Sequence, residues 1–131
     1  MTLACALTSC NTRAPDRFQV SDGYVGWLVV QYQNPACQPL PMESGYNVFR
    51  FSGDGRLCTS SRQPEGEAFD RFEYVKGDGA LQEIDQRTMV WGGVASSSHR
   101  SFVFVGNEQQ FRARTDSAEQ LDQRCTTDLH C

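Results

Sequence analysis

The segment Tyr24 to Tyr32, Y-V-G-W-L-V-V-Q-Y, constrains the fold more than any other part of the chain. It is dense in β-branched and aromatic residues, which suit a pleated surface, and turn residues bound it at Asp22-Gly23 and Asn34-Pro35. Successive side chains of a strand point to opposite faces, and here both sets are apolar. Such a strand needs cover on two sides, which places it centrally in a sheet.

Further strands follow from alternation and turn chemistry. Tyr46 to Phe51 alternates, Ser52-Gly53-Asp54-Gly55 can turn tightly, and Arg56 to Ser60 returns, a predicted hairpin. A second hairpin is expected from Phe69 to Val75 through Lys76-Gly77-Asp78-Gly79 to Ala80–Ile84. Thr88 to Ala95 and Ser101 to Val105 read as strands joined by a polar loop, Ser96 to Arg100. Between the first two strands, Asn34 to Pro41 carries three prolines and reads as an extended connector, because proline cannot donate to a ladder. Arg62 to Glu67 reads as an exposed polar loop.

Helical signals lie near the C-terminus. Asn107 can cap Glu108–Arg112, and Asp116 or Ser117 can cap Ala118–Arg124. The expected fold is therefore mainly β: a single antiparallel β-sandwich or barrel-like domain with one or two short C-terminal helices. A length of 131 residues suits one domain with its own core.

Six cysteines favour an oxidising compartment over the cytosol. Residues 1–10, M-T-L-A-C-A-L-T-S-C, are uncharged and small or apolar, like the end of a secretory signal. Leu7-Thr8-Ser9-Cys10 resembles the bacterial lipobox, whose cysteine is lipidated and becomes the new N-terminus. The expected organisation is a residual signal at 1–10, a tether at 11–17 and the domain at 18–131, anchored through Cys10 to a bacterial membrane and facing the periplasm. The domain then keeps Cys37, Cys58, Cys125 and Cys131, enough for two disulfides. Three pairings are open, and joining cysteines near in sequence gives Cys37 with Cys58 and Cys125 with Cys131.

Motifs that perform chemistry are weak. Cys125, His130 and Cys131 could contact zinc, but the adjacent His130 and Cys131 cannot easily reach one tetrahedral ion. Ser96 to Ser98 sit too close in sequence to His99 to face it as a nucleophile faces its base. Glu65, Glu67, Asp70 and Glu73 could supply paired carboxylates, yet acids on loops are commonly a solvated rim. Asp54-Gly55 and Asp78-Gly79 lack the ligand spacing of an EF-hand. Trp91-Gly92-Gly93 reads as a bulge more readily than as a ligand-admitting gap. No catalytic residue, metal or cofactor is assigned.

The strings G-W-L-V-V-Q-Y from Gly26, N-P-x-C-x-P-L-P from Asn34, G-Y-x-V-F-R-F from Gly45, Thr59-Ser60-Ser61 and F-V-F-V-G from Phe102 resemble a family of small uncharacterised bacterial lipoproteins. That resemblance covers most of residues 24–112 and implies no activity.

A net charge of −4 and a pI near 5.1 leave no basic stripe for nucleic acid or anionic lipid, and favour a basic partner. The expected function is binding without catalysis. An immunity-type inhibitor of a toxin or cell-wall hydrolase fits, with an assembly accessory of an envelope or secretion complex as the alternative. Exposed loops on a rigid scaffold carry recognition, so the partner contacts are expected at Arg62, Glu65, Glu67 and Asp70, with Pro39 and Met42 beside them.

Overall fold

The computed structural model describes residues 12–127. The strands are β1 (Asp16–Ser21), β2 (Gly26–Gln31), β3 (Met42–Glu43), β4 (Tyr46–Arg50), β5 (Arg56–Cys58), β6 (Arg71–Val75), β7 (Leu81–Glu83), β8 (Val90–Ala95) and β9 (Arg100–Val105). The helices among the described residues are α1 (Gln86–Met89), α2 (Glu108–Arg112) and α3 (Ala118–Thr127).

The mainly β expectation holds, but the sheets are mixed and neither closes into a barrel. Sheet I runs β3-β4-β1-β6-β7 and sheet II runs β5-β2-β9-β8. Three pairings are parallel: β1 with β4, β1 with β6, and β2 with β5. A purely antiparallel arrangement is therefore corrected.

β2 shows why both faces of Tyr24–Tyr32 carry apolar side chains. Leu28 and Val30 are buried in the core between the sheets, with Phe18, Phe49 and Phe72 from sheet I. Val29 points the other way, into a second cluster with Phe102, Ala118 and Leu121, where α3 covers sheet II. In the main core the Phe18 ring stacks on Phe49 at 4.6 Å and on Phe72 at 4.5 Å.

The first predicted hairpin does not form. Gly55 N–H does close a turn onto Ser52 O, but β5 then leaves β4 and joins β2 in the other sheet. Position 55 has φ +78°, and a Cβ there would stand 2.7 Å from the Trp27 carbonyl oxygen, closer than real contacts allow. The same glycine's carbonyl accepts from Val29 N–H at 2.9 Å, so this turn is the device that switches sheets. The β6–β7 and β8–β9 hairpins form as expected. Between Trp91 and Val94 the β8–β9 register shifts, so the paired glycines mark a bulge. Gln86–Met89, expected partly as strand, is a short helix capped by Asp85, whose side chain accepts from Arg87 N–H. Asn107 caps α2 in a reciprocal capping box with Gln110.

The proline-rich connector is stitched to β5 and the segment after it. Cys37 and Cys58 form a disulfide. Buried Thr59 donates its hydroxyl to Gln38 O at 2.9 Å, and Ser61 Oγ accepts from Leu40 N–H at 2.9 Å. Cys125, buried on α3, is also disulfide-bonded. The expectations for Cys10 and Cys131 fall outside the described residues.

Candidate functional site

β1 carries the residues that build the one polar cleft reaching the inter-sheet core among the cavities described. Asp16, Phe18 and Val20 point inward while Arg17 and Gln19 point outward, the alternation of a half-buried strand. The tether is expected at 11–17, but among the described residues of that stretch Thr12 bridges Glu67 and Asp16 is 5% exposed at the head of the central strand. This N-terminal stretch is part of the domain.

At the cleft, Arg13 grips Asp70 with both guanidinium nitrogens, Nη1 to Oδ1 at 3.0 Å and Nη2 to Oδ2 at 2.8 Å. Asp70 Oδ1 also accepts from Asp16 N–H at 2.8 Å. Arg13 Nη1 lies 3.3 Å from Asp16 Oδ1, and Asn47 donates to the same oxygen at 3.1 Å. Two carboxylates thus share one guanidinium. Burial pushes the Asp16 carboxyl up to about 6, with Asp70 adding to the rise while Asn47 and Arg13 oppose it. Burial likewise pushes Tyr32, on the cleft wall, up to about 12.

Two adjoining cavities of about 290 and 380 Å3 share Tyr32, Gln63, Pro64 and Ala95. The first reaches Arg13, Asp16, Asp70 and Ser101; the second is rimmed by Arg62, Glu65 and His99. The structure therefore gathers Arg62, Glu65 and Asp70 of the sequence-nominated residues around one cleft. Asp70 faces inward to Arg13, so it holds the loop instead of offering a free carboxylate. Glu67 lines a separate groove with Thr12, Tyr46 and Phe69. Pro39 and Met42 are exposed but line neither cleft cavity. Asp16, Arg13 and Tyr32 escaped the sequence reading, although the alternation D-R-F-Q-V carried the signal for the first.

The Ser96–Ser98 turn is occupied by other work. Ser98 Oγ donates to Asp122 Oδ1 at 2.6 Å and Ser96 Oγ does so at 3.2 Å. Arg100 Nη1 reaches the same carboxylate oxygen at 3.1 Å, and Arg100 Nη2 donates to Cys125 O at 3.0 Å. These bonds dock α3 on the β8–β9 hairpin. His99, at φ 64°, sets Nδ1 3.4 Å from the Gln33 side-chain amide and not against a serine. Of the carboxylates weighed for acid–base work, Glu73 is buried against Arg17 on the outer face of sheet I, apart from Asp70. The disulfide at Cys125 removes the thiolate that a zinc site would have used. No helix among the described residues is long and apolar enough to cross a membrane.

Fold and cleft together define a class: a two-sheet mixed β domain with a helix-covered second sheet and a loop-rimmed polar cleft. Residues 12–127 match the model of a family of unknown function (DUF6843), and the chain belongs to that family. A crystal structure of a candidate lipoprotein from Bacillus anthracis is similar in fold, with a TM-score of 0.62 at 20% identity over 87% of this chain and 91% of that one. No curated protein matches the chain.

Proposed function

We propose that this is a lipid-anchored binding protein of the bacterial cell envelope, facing the periplasm, whose Arg62–Glu65 loop and adjoining cleft receive a protein partner. The observation that carries this reading is that both flanks of that loop are tied to the domain, with Ser61 O accepting from Gln33 N–H at 2.9 Å on one side. Arg13 holds it from behind, through Asp70 and through a bond from Nε to Gly66 O at 3.1 Å. Arg62 and Glu65 remain exposed at the cleft rim. A held loop loses little further conformational freedom on association, which favours recognition. The anchor is supported by the lipobox resemblance at Leu7–Cys10 and by the description of the structurally similar Bacillus protein.

The acidic balance of the chain suits a basic partner, and an immunity-type inhibitor of a toxin or cell-wall hydrolase is the form we favour. Catalysis is not part of the proposal, because the serine turn and Asp70 are engaged in holding the fold. The test is affinity capture from the envelope fraction, followed by Glu65→Lys. We expect a specific partner whose binding falls about tenfold in the variant, mainly through slower association. Recovery of no partner, or a partner indifferent to Glu65→Lys and to Gln63→Ala, overturns the reading. Asp70 is left intact because its loss would loosen the loop itself.

A further inference from the structure

We propose that the Phe69 end of sheet I rests on the lipid surface, with the Phe69 ring seated in the membrane interface. The inference relies on the anchor at Cys10 proposed above and deepens it by orienting the domain. Phe69 is 96% exposed, against 58% or less for the other exposed large hydrophobic side chains among the described residues. Yet the backbone on both sides of it is fixed. Glu67 O accepts from Arg13 N–H at 3.3 Å, Asp70 is gripped by Arg13, and Asp70 O accepts from the Gln86 amide at 2.7 Å. The ring is thus held out by bonds on each flank and borders a groove of about 480 Å3 with Pro15, Tyr46 and Ala68.

Position relative to the anchor selects lipid as the occupant. Thr12 bridges Glu67 and lines the same groove, and Cys10 precedes Thr12 by two residues. Two residues span at most about 7 Å, so an acyl chain on Cys10 would hold this end of the domain against the bilayer. An aromatic ring there exchanges exposure to water for the interfacial region that such side chains favour. Met42, 58% exposed, lies on β3 opposite Asn47, the neighbour of Tyr46, and extends the apolar character of this end of the sheet. The cleft rim at Arg62 and Glu65 lines other cavities and stays available to a protein.

The experiment places p-benzoylphenylalanine at position 69 and, separately, at Asp78 in the β6–β7 turn at the far end of sheet I. Full-length protein in the membrane fraction of the expressing cells is irradiated, and adducts are sorted by mass into lipid, second copy and other protein. The mass of the Cys10 fragment is read from the same sample. With Cys10 acylated, we expect lipid adducts at position 69 to exceed those at position 78 by about tenfold, as for an interfacial group against one about 20 Å away. Acylated Cys10 with equal lipid yields at the two positions, or with mainly protein adducts at 69, overturns the orientation and leaves the anchor standing. An unmodified Cys10 overturns both. Because Phe69 is solvent-exposed, the substitution leaves the fold intact, which the unchanged β-sheet circular dichroism will verify.

Discussion

Sheet II turns Trp27, Val29, Phe102 and Phe104 away from the inter-sheet core, whereas the outward positions of sheet I include Arg17, Gln19, Arg50 and Glu73. The first set demands cover. Trp27 meets Phe104 edge-on at 5.5 Å, Phe111 of α2 stacks on Trp91 at 5.6 Å, and Ala118, Leu121 and Cys125 of α3 are buried. The second set covers itself. Arg17 Nε lies 3.2 Å from Glu73 without hydrogen-bond geometry, and its guanidinium sits 4.5 Å over the Tyr46 ring. Arg50 joins Glu43 at 2.7 Å and Gln19 at 3.2 Å. One strand alternation thus yields two designs, and the identity of the outward residues decides whether the chain must supply helices.

The comparison breaks if α3 is decorative. Leu121 is 3% exposed and packs with Val29 and Phe102, so Leu121→Ala removes buried volume and leaves a cavity under the helix. We expect a loss of about 3 kcal/mol, read as a lower urea midpoint at an unchanged slope. A loss below about 1 kcal/mol would mean that sheet II stands without its lid.

A second test uses β1 itself, where Arg17 faces the ionic side and neighbouring Asp16 faces the core. Burial raises Asp16 from 3.8 to about 6, so between those values the folded chain holds more protons than the unfolded one. Stability contributed through this group therefore falls as pH rises through that window, and the full cost is present above about 6. Asp16→Asn removes the titration while keeping an oxygen for Asn47. Comparing the variant with the parent cancels the other groups, including Asp122, which its bonds to Ser98 and Arg100 hold low against an opposing burial effect. From pH 4 to pH 7 the variant should gain about 2 to 3 kcal/mol on the parent in urea unfolding. A difference independent of pH would show that Asp16 is solvated.

Much of sheet II was legible in the sequence because its rule is local. A doubly apolar run reports two covered faces, paired glycines report a bulge, and Asn107 reports a cap. The sheet switch at Gly55 was not legible, since S-G-D-G serves a hairpin equally well and only packing against the Trp27 carbonyl selects the other outcome. β1 was hidden for a related reason. Its inward set is Asp16, Phe18 and Val20, and an aspartate at a core position weakens the apolar period that announces a strand. That same aspartate anchors the cleft, so the residue that obscured the element is the one that defines the site. Arg13 and Asp70 are 57 positions apart and meet only because β6 lies parallel to β1.

The smallest effect is expected at the rim of sheet I. Arg50 and Glu43 keep about half of their side-chain surface in water, at 55% and 47% exposed, where solvent and salt screen the pair and holding two long side chains costs entropy. Arg50→Ala should therefore leave the urea midpoint unchanged at both low and high salt. Any response should be local, because β3 is two residues long and meets β4 only through Met42–Asn47 and Glu43–Tyr46. Faster hydrogen exchange at the β3–β4 pairs, with β1 and β6 unaffected, is the expected signature. If the midpoint instead drops clearly and the drop vanishes at high salt, the charges of this face act as a coupled network. Sheet I would then be held from outside much as sheet II is held by α3, and the contrast between the two faces would be one of chemistry alone.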